Sequence, residues 1–277
     1  MPDSSKEPAP MVEAQPDCST RWYFSLGSGH EIDLDSRFSS GHDEFFDFGG
    51  GDTADAHFLS RDYNDVFDNW YNVIGEIGYA FTDNFEVFGN FKYTHARSRL
   101  VSGSEIEFDF GIPFDLELLS KWDDYTSYGG ELGARYYFMR KGSPIRPYVS
   151  LSGGATFVDE IDLHVTTEFF GANVVAYDGD FYDSTLTFTG TGMIGVEFNV
   201  TCNLAITLDV GLRYQSELDS DDSDFETGSP AVAGIVNQAN GQGSFIESAL
   251  LESGDHLNNS GADRLVVPVT VAVKFKF

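Results

Sequence analysis

The last fourteen residues, Arg264–Phe277, restrict the fold more than any other stretch. Leu265, Val267, Val269, Val271, Val273, Phe275 and Phe277 take every second position without a break. Between them lie Arg264, Val266, Pro268, Thr270, Ala272, Lys274 and Lys276. Side chains of a strand alternate between its two faces, so one face here is wholly apolar and the other is mixed, mostly polar or small. Seven apolar residues would be a long inner face for a soluble sandwich. A strand crossing a bilayer at a tilt needs roughly 9–11 residues, which suits this segment. It predicts a membrane strand, provided that partner strands exist to take its backbone hydrogen bonds.

The partners are legible upstream. Trp22, Phe24 and Leu26 alternate with Tyr23, Ser25 and Gly27, in a run that continues through Ile32 and Leu34. Val73, Gly75, Ile77, Tyr79 and Phe81 share one face, as do Phe85, Val87, Gly89, Phe91 and Tyr93 after the turn Thr82-Asp83-Asn84. Asp-Asn is hairpin chemistry, because both residues tolerate turn conformations. Two further hairpins follow the same plan. Tyr128–Phe138 and Val149–Phe157 flank a turn at Arg140–Pro144, and Leu186–Val200 and Leu204–Tyr214 flank Thr201-Cys202-Asn203. With the first and last strands this makes eight.

Connection lengths alternate. Short turns fall near residues 83, 142 and 202, and long connections span about 37–69, 97–126, 158–184 and 216–263. The predicted fold is therefore all-β: an eight-stranded antiparallel up-and-down transmembrane β-barrel with short periplasmic turns, long extracellular loops and both termini periplasmic. No apolar run approaches the ~18 residues of a membrane helix, which leaves a closed barrel as the way to satisfy the backbone in lipid. Residues 1–20, with Pro2, Pro8, Pro10 and Pro16, lack the cationic start and apolar core of a secretion signal and read as a polar periplasmic tail ahead of a barrel at 21–277. Ile106, Phe108 and Phe110, and again Ile161, Leu163 and Val165, alternate with polar residues, so strands should continue beyond the bilayer. The first long connection, 37–69, shows no sustained period, and in the irregular stretch 230–262 Ser244–Glu252 reads as a short helix.

The Phe-ended strand and the hairpins around Asp83, Gly142 and Cys202 resemble the small eight-stranded, porin-like outer-membrane proteins of the OmpA/OmpX/opacity type, over roughly residues 22–277. The resemblance implies an outer membrane of the Gram-negative type, with its lipids and lipopolysaccharide as neighbours. It also implies insertion by the barrel-assembly machinery, with Phe277 in the position of the terminal recognition signal. The loops here are longer and more acidic than in the compact members.

If the apolar positions face lipid, the interleaved ones line the lumen. They are Glu76, Glu86, Asn90, Lys92, Glu131, Arg135, Tyr137, Arg146, Tyr148, Thr187, Thr189, Thr191, Glu197, Asp209, Arg213, Arg264, Lys274 and Lys276, five acids against seven bases. Side chains roughly fill an eight-stranded barrel. Charges enclosed there must be paired, or each costs several kcal/mol. The expectation is a salt-bridged core that blocks diffusion; a narrow ion- or solute-selective pore gated by one such pair is the alternative.

The chain carries a net charge of −29, and the four long connections hold 32 of the 45 acids with five bases, for a net of −27. This argues against nucleic acid as a partner, since binding there rests on neutralising phosphates. An acidic field draws cations instead. One reading is a solvated surface. The other is divalent-cation binding, with Asp219, Asp221, Asp222, Asp224 and Glu226 as the oxygen cluster suited to Ca²⁺. That cluster departs from a helix-loop-helix calcium site, because the sixth position is Asp224 and the twelfth is Pro230. No other cofactor is expected. Phe38, Phe45, Phe46, Phe48, Phe58, Tyr63 and Phe67 concentrate aromatics in the first loop, either to pack the loops or to anchor an extracellular ligand.

Catalysis is not expected. Of the six histidines, His95 is near Ser98, but His95-Ala-Arg-Ser98 lacks the His-x-Ser spacing of lipid A deacylases. A lipid A-modifying enzyme is the least favoured reading. Cys18 and Cys202 match no zinc or redox spacing and both fall on the predicted periplasmic side, where a disulfide would tie the tail across the barrel mouth. Two separate thiols are the alternative. The expected role is structural or surface interaction, in adhesion or envelope integrity.

Overall fold

A computed structural model describes residues 20–34, 36–49, 52–109, 113–169, 172–218 and 262–277. β1 (Trp22–Asp33) leads into a connection holding β2 (Arg37–Ser39), β3 (His42–Gly49), β4 (Asp52–Phe58), β5 (Arg61–Asp62) and the one-turn helix α1 (Tyr63–Val66). β6 (Phe67–Ala80) and β7 (Phe85–Ser98) make the first tight hairpin, followed by β8 (Leu100–Asp109) and β9 (Pro113–Trp122). β10 (Tyr125–Tyr137) and β11 (Ile145–Val158) repeat it, with β12 (Ile161–Phe169) and β13 (Ala172–Tyr182) beyond. β14 (Thr185–Asn199), β15 (Leu204–Gln215) and β16 (Arg264–Lys276) complete the described strands.

The eight long strands close into an antiparallel barrel in the order β1-β16-β15-β14-β11-β10-β7-β6. The seam pairs β1 with β16 from Tyr23↔Lys276 to Asp33↔Val266. Parity then sorts the side chains as hydrocarbon requires. On the outside Leu132, Leu151 and Phe188 are 78%, 73% and 71% exposed, while inside Arg146, Arg264 and Lys274 are 2%, 2% and 1% exposed. A water-soluble barrel has the reverse arrangement, and apolar patches beyond a few hundred Å² are rare on soluble monomers. The fold is a transmembrane barrel.

Aromatic rings mark the edges of the apolar band. Trp22, Tyr79 and Phe81 meet edge to face on the short-turn side, as do Tyr136 and Phe138. Tyr71 and Tyr128 stand on the same strands as Tyr79 and Tyr136, eight positions away toward the loop side. Eight residues span roughly 26 Å along a strand, or about 20 Å of height at the usual tilt, close to the aromatic girdle spacing of such barrels.

The long connections are more ordered than the sequence suggests. β13-β12-β9-β8-β4-β3 form a second, six-stranded sheet, contributed by three of them, and β2 pairs with β5. Residues 37–66 carry no readable period because their strands are short, and β4 is held by a partner in another connection, as in Thr53↔Asp109. Phe110 and the Ser244–Glu252 stretch lie outside the described residues.

Two glycines meet local demands. Gly142 takes φ +92° in the β10–β11 turn, a conformation that side chains disfavour. At Gly154, on the lumen side, a Cβ would lie 1.9 Å from the Gly130 carbonyl oxygen. Gly154→Val is expected to force the β10–β11 wall apart and cost at least about 1–3 kcal/mol. Urea unfolding in lipid vesicles measures this, and an unchanged midpoint would contradict the packing described.

Candidate functional site

Two places gather functional side chains: the lumen and the loop-side sheet. In the lumen, parity carries alternate residues of all eight strands inward, so charges from distant parts of the chain meet in layers. Nearest the short turns, Glu197 accepts hydrogen bonds from Arg146 Nη1 (3.1 Å), Lys274 Nζ (3.1 Å), Lys276 Nζ (2.6 Å) and the Tyr137 hydroxyl (2.8 Å). Glu86 shares Lys274 at 2.7 Å, and the Arg146 guanidinium lies 3.7 Å over the Tyr137 ring. One layer up, Arg135 grips Glu76 with two bonds of 3.0 and 3.1 Å, and Tyr23 donates to the same carboxylate. Tyr148 donates to Asp209 beside them.

Glu131 accepts from Ser152 and Thr191 near mid-lumen. Toward the loops, Glu31 binds Lys92 (2.7 Å), Arg213 (3.3 Å) and Arg264 (3.3 Å), and Arg264 Nε reaches Asp33 at 2.8 Å. Gln215 bonds Thr187 and Tyr125 there. Thr189 is buried nearby, and Asn90 lines the mid-lumen cavity.

Glu31 and Asp33 were missing from the sequence-derived set, although the alternation from Phe24 through Leu34 puts both on the inner face. With them, the described lumen holds seven acids (Glu31, Asp33, Glu76, Glu86, Glu131, Glu197, Asp209) and seven bases (Lys92, Arg135, Arg146, Arg213, Arg264, Lys274, Lys276). The five-to-seven count is corrected to balance.

An aromatic cluster covers the loop-side end of this network. Phe38 is fully buried and packs its ring against Tyr63, Phe67, Trp122, Phe181 and Tyr182 at centroid distances of 5.0 to 5.7 Å. Arg264 lies 3.9 Å over Trp70 directly beneath. Barrel strands and second sheet both contribute, so the cluster fastens one onto the other. Of the first-loop aromatics, Phe38, Tyr63 and Phe67 go inward, whereas Phe45 is exposed.

The sheet's other face is acidic. Register places Asp43, His57, Glu105 and Glu117 in one row and Phe45, Asp55, Glu107 and Asp115 in the next. Glu105 thus stands opposite Glu117, and Glu107 opposite both Asp55 and Asp115. Like charges directly opposed on a sheet cost up to about 1 kcal/mol per pair. His57 Nδ1 sits 3.0 Å from Asp43 Oδ1 in an exposed pair, and this hydrogen bond raises the imidazole above its ordinary value of 6.5. The protonated pair contributes below pH 6.5, and that contribution fades as pH rises through the raised value. An NMR titration of His57 should show a midpoint above 6.5 that falls in Asp43→Asn. An unchanged midpoint would break the pairing.

The remaining sequence-derived sites fall as follows. Asp219, Asp221, Asp222, Asp224 and Glu226 lie outside the described residues, as does Cys18. Cys202 is disulfide-bonded. The backbone of Phe277 pairs with Trp22 in both directions, at 3.1 and 2.9 Å, and finishes the seam. His95 does not meet the Ser98 hydroxyl. Its Nδ1 is 3.3 Å from Thr126 Oγ1, its ring is 5.3 Å from Tyr71, and Asp124 binds the Ser98 backbone N–H instead.

The lumen arrangement makes one energetic claim. Glu197 is wholly buried and faces three cations, so Glu197→Gln would leave Arg146, Lys274 and Lys276 crowded without their shared carboxylate. Breaking a buried pair costs about 3–5 kcal/mol. Urea unfolding in vesicles is expected to show a loss of that order, and a neutral result would mean that water screens the layer.

No family model and no curated protein matches the chain. It is similar to the solved structures of Neisserial surface protein A (14% identity, 92% of this chain and 97% of that one, TM-score 0.38). It is also similar to Ail, the attachment invasion locus protein of Yersinia pestis (13%, 93% and 99%, TM-score 0.38). A third is the outer membrane protease OmpT of Escherichia coli (9%, 93% and 97%, TM-score 0.36).

Proposed function

We propose that the protein is an outer-membrane barrel with a closed lumen that works by surface interaction, presenting the acidic face of its six-stranded sheet to basic polypeptide surfaces outside the cell. Closed barrels with short turns on one side and long connections on the other belong to outer membranes, with the turns and termini periplasmic and the long connections extracellular. The observation that carries the role is the register of the sheet. Two connections converge to place Asp55, Glu105, Glu107, Asp115 and Glu117 side by side on one face, at an electrostatic cost to the fold. Such a face raises the local concentration of cationic partners and speeds their encounter.

The role is one of binding rather than catalysis. In the lumen, the balanced ion pairs favour a structural core over a solute path, because moving either partner would expose a buried charge. The acidic face is also suited to divalent cations bridging to lipopolysaccharide phosphates, which would serve envelope integrity by the same chemistry.

Vesicles carrying the full chain should bind polylysine and not polyglutamate, with affinity falling as salt rises. Replacing Asp55, Glu105, Glu107, Asp115 and Glu117 by their amides should weaken binding at least about tenfold, the equivalent of about 1.4 kcal/mol. Binding that survives the replacement overturns the partner assignment. Steady channels of substantial conductance in planar bilayers would overturn the closed lumen and favour the pore.

A further inference from the structure

We propose that the middle of the lumen holds a binding site for a small monovalent anion of chloride size. A cavity of about 70 Å³ lies there, between the Glu76–Arg135 pair and the Glu31 layer. A buried water needs about 10–15 Å³ of such volume, so the space takes about five water-sized spheres. The cavity exists partly because Gly29 lacks a side chain: a Cβ there would stand 2.9 Å from both Asn72 Oδ1 and Thr270 Oγ1. Both of these side chains line the cavity, and Asn72 is fully buried.

The chemistry of the wall decides what fits. Its three carboxylates already have donors: Glu76 holds Tyr23 and Arg135, Glu131 holds Ser152 and Thr191, and Asp209 holds Tyr148. Four cations, Lys92, Arg135, Arg213 and Lys274, line the same space, and Glu31, which takes Lys92, is not part of the wall. What remains unused is a set of donors and one amide oxygen, Asn72 Oδ1. Asn72 Nδ2, Thr270 Oγ1 and Arg135 Nε are buried and have no hydrogen-bond partner. Unmade buried hydrogen bonds cost about 1–3 kcal/mol each, so an occupant that accepts several at once is favoured.

A metal cation would meet four positive side chains, and each wall carboxylate already holds at least one donor. A metabolite of more than about five heavy atoms exceeds the volume. A halide ion accepts from every direction and leaves room for the waters that Asn72 Oδ1 calls for. Fixed guanidinium and amide donors then replace the hydration that the ion gives up, which offsets the cost of burying a charge.

The test uses the full chain refolded into detergent. Crystals grown in sodium bromide, with diffraction recorded at the bromine edge, should show an anomalous peak in the cavity within hydrogen-bond reach of Asn72 Nδ2. The urea midpoint should rise with chloride and saturate relative to gluconate at equal ionic strength, because a ligand bound only by the folded state stabilises it. Asn72→Leu and Thr270→Val should abolish that difference. A cavity without an anomalous peak, or an unfolding midpoint indifferent to chloride, means that the space holds water only and overturns the proposal. Should either variant fail to refold, the diffraction experiment on the unaltered chain still decides.

Discussion

Closure of the seam between β1 and β16 is the constraint on which the rest of the structure depends. In hydrocarbon an unpaired backbone N–H or carbonyl costs several kcal/mol, so a sheet in lipid can have no edge. The eleven-residue register from Tyr23↔Lys276 to Asp33↔Val266 removes that edge. Closing eight strands into a cylinder of small radius then fixes the lumen, where there is room for side chains and little else. Both the need for small residues such as Gly154 and the need to pair every enclosed charge follow from that radius.

Electroneutrality is the second consequence. Seven acids and seven bases drawn from all eight barrel strands meet inside, and some serve three partners, as Glu197 and Glu31 do. Buried ion pairs are weak devices for stability when weighed against apolar packing. A membrane barrel has less choice, because its apolar residues are committed to the outside. Pairing makes the polar interior tolerable, and the layers it builds also close the lumen. The chain's excess negative charge is left to the parts beyond the bilayer, and there the second sheet turns it outward, with apolar residues gathered against the barrel mouth.

Much of this was legible in the sequence, because in a barrel of this kind parity alone assigns each residue to lipid or lumen. The turn positions, the strand number and the lumen residues from Glu76 to Lys276 follow from alternation within single segments. Glu31 and Asp33 were equally legible, because the first strand's alternation, continued through Leu34, puts both on the inner face. The second sheet was not legible. Alternation shows that a strand has two faces but not which strand lies beside it, and pairs such as Thr53↔Asp109 join residues far apart in the chain. Nor does composition reveal that Phe38 sits at the centre of five rings while Phe45, seven residues on, faces outward.

The central claim is that apolar side chains point into lipid while charged ones point inward. Electron paramagnetic resonance of single nitroxides, placed in turn at 151, 188 and 208 and at 191 and 209 of the vesicle-inserted chain, tests it most directly. The first three labels should collide freely with dissolved oxygen and hardly at all with a water-soluble nickel chelate, and the last two should be shielded from both. Labels at 151, 188 and 208 that meet nickel, or that are shielded from both reagents, would contradict the account.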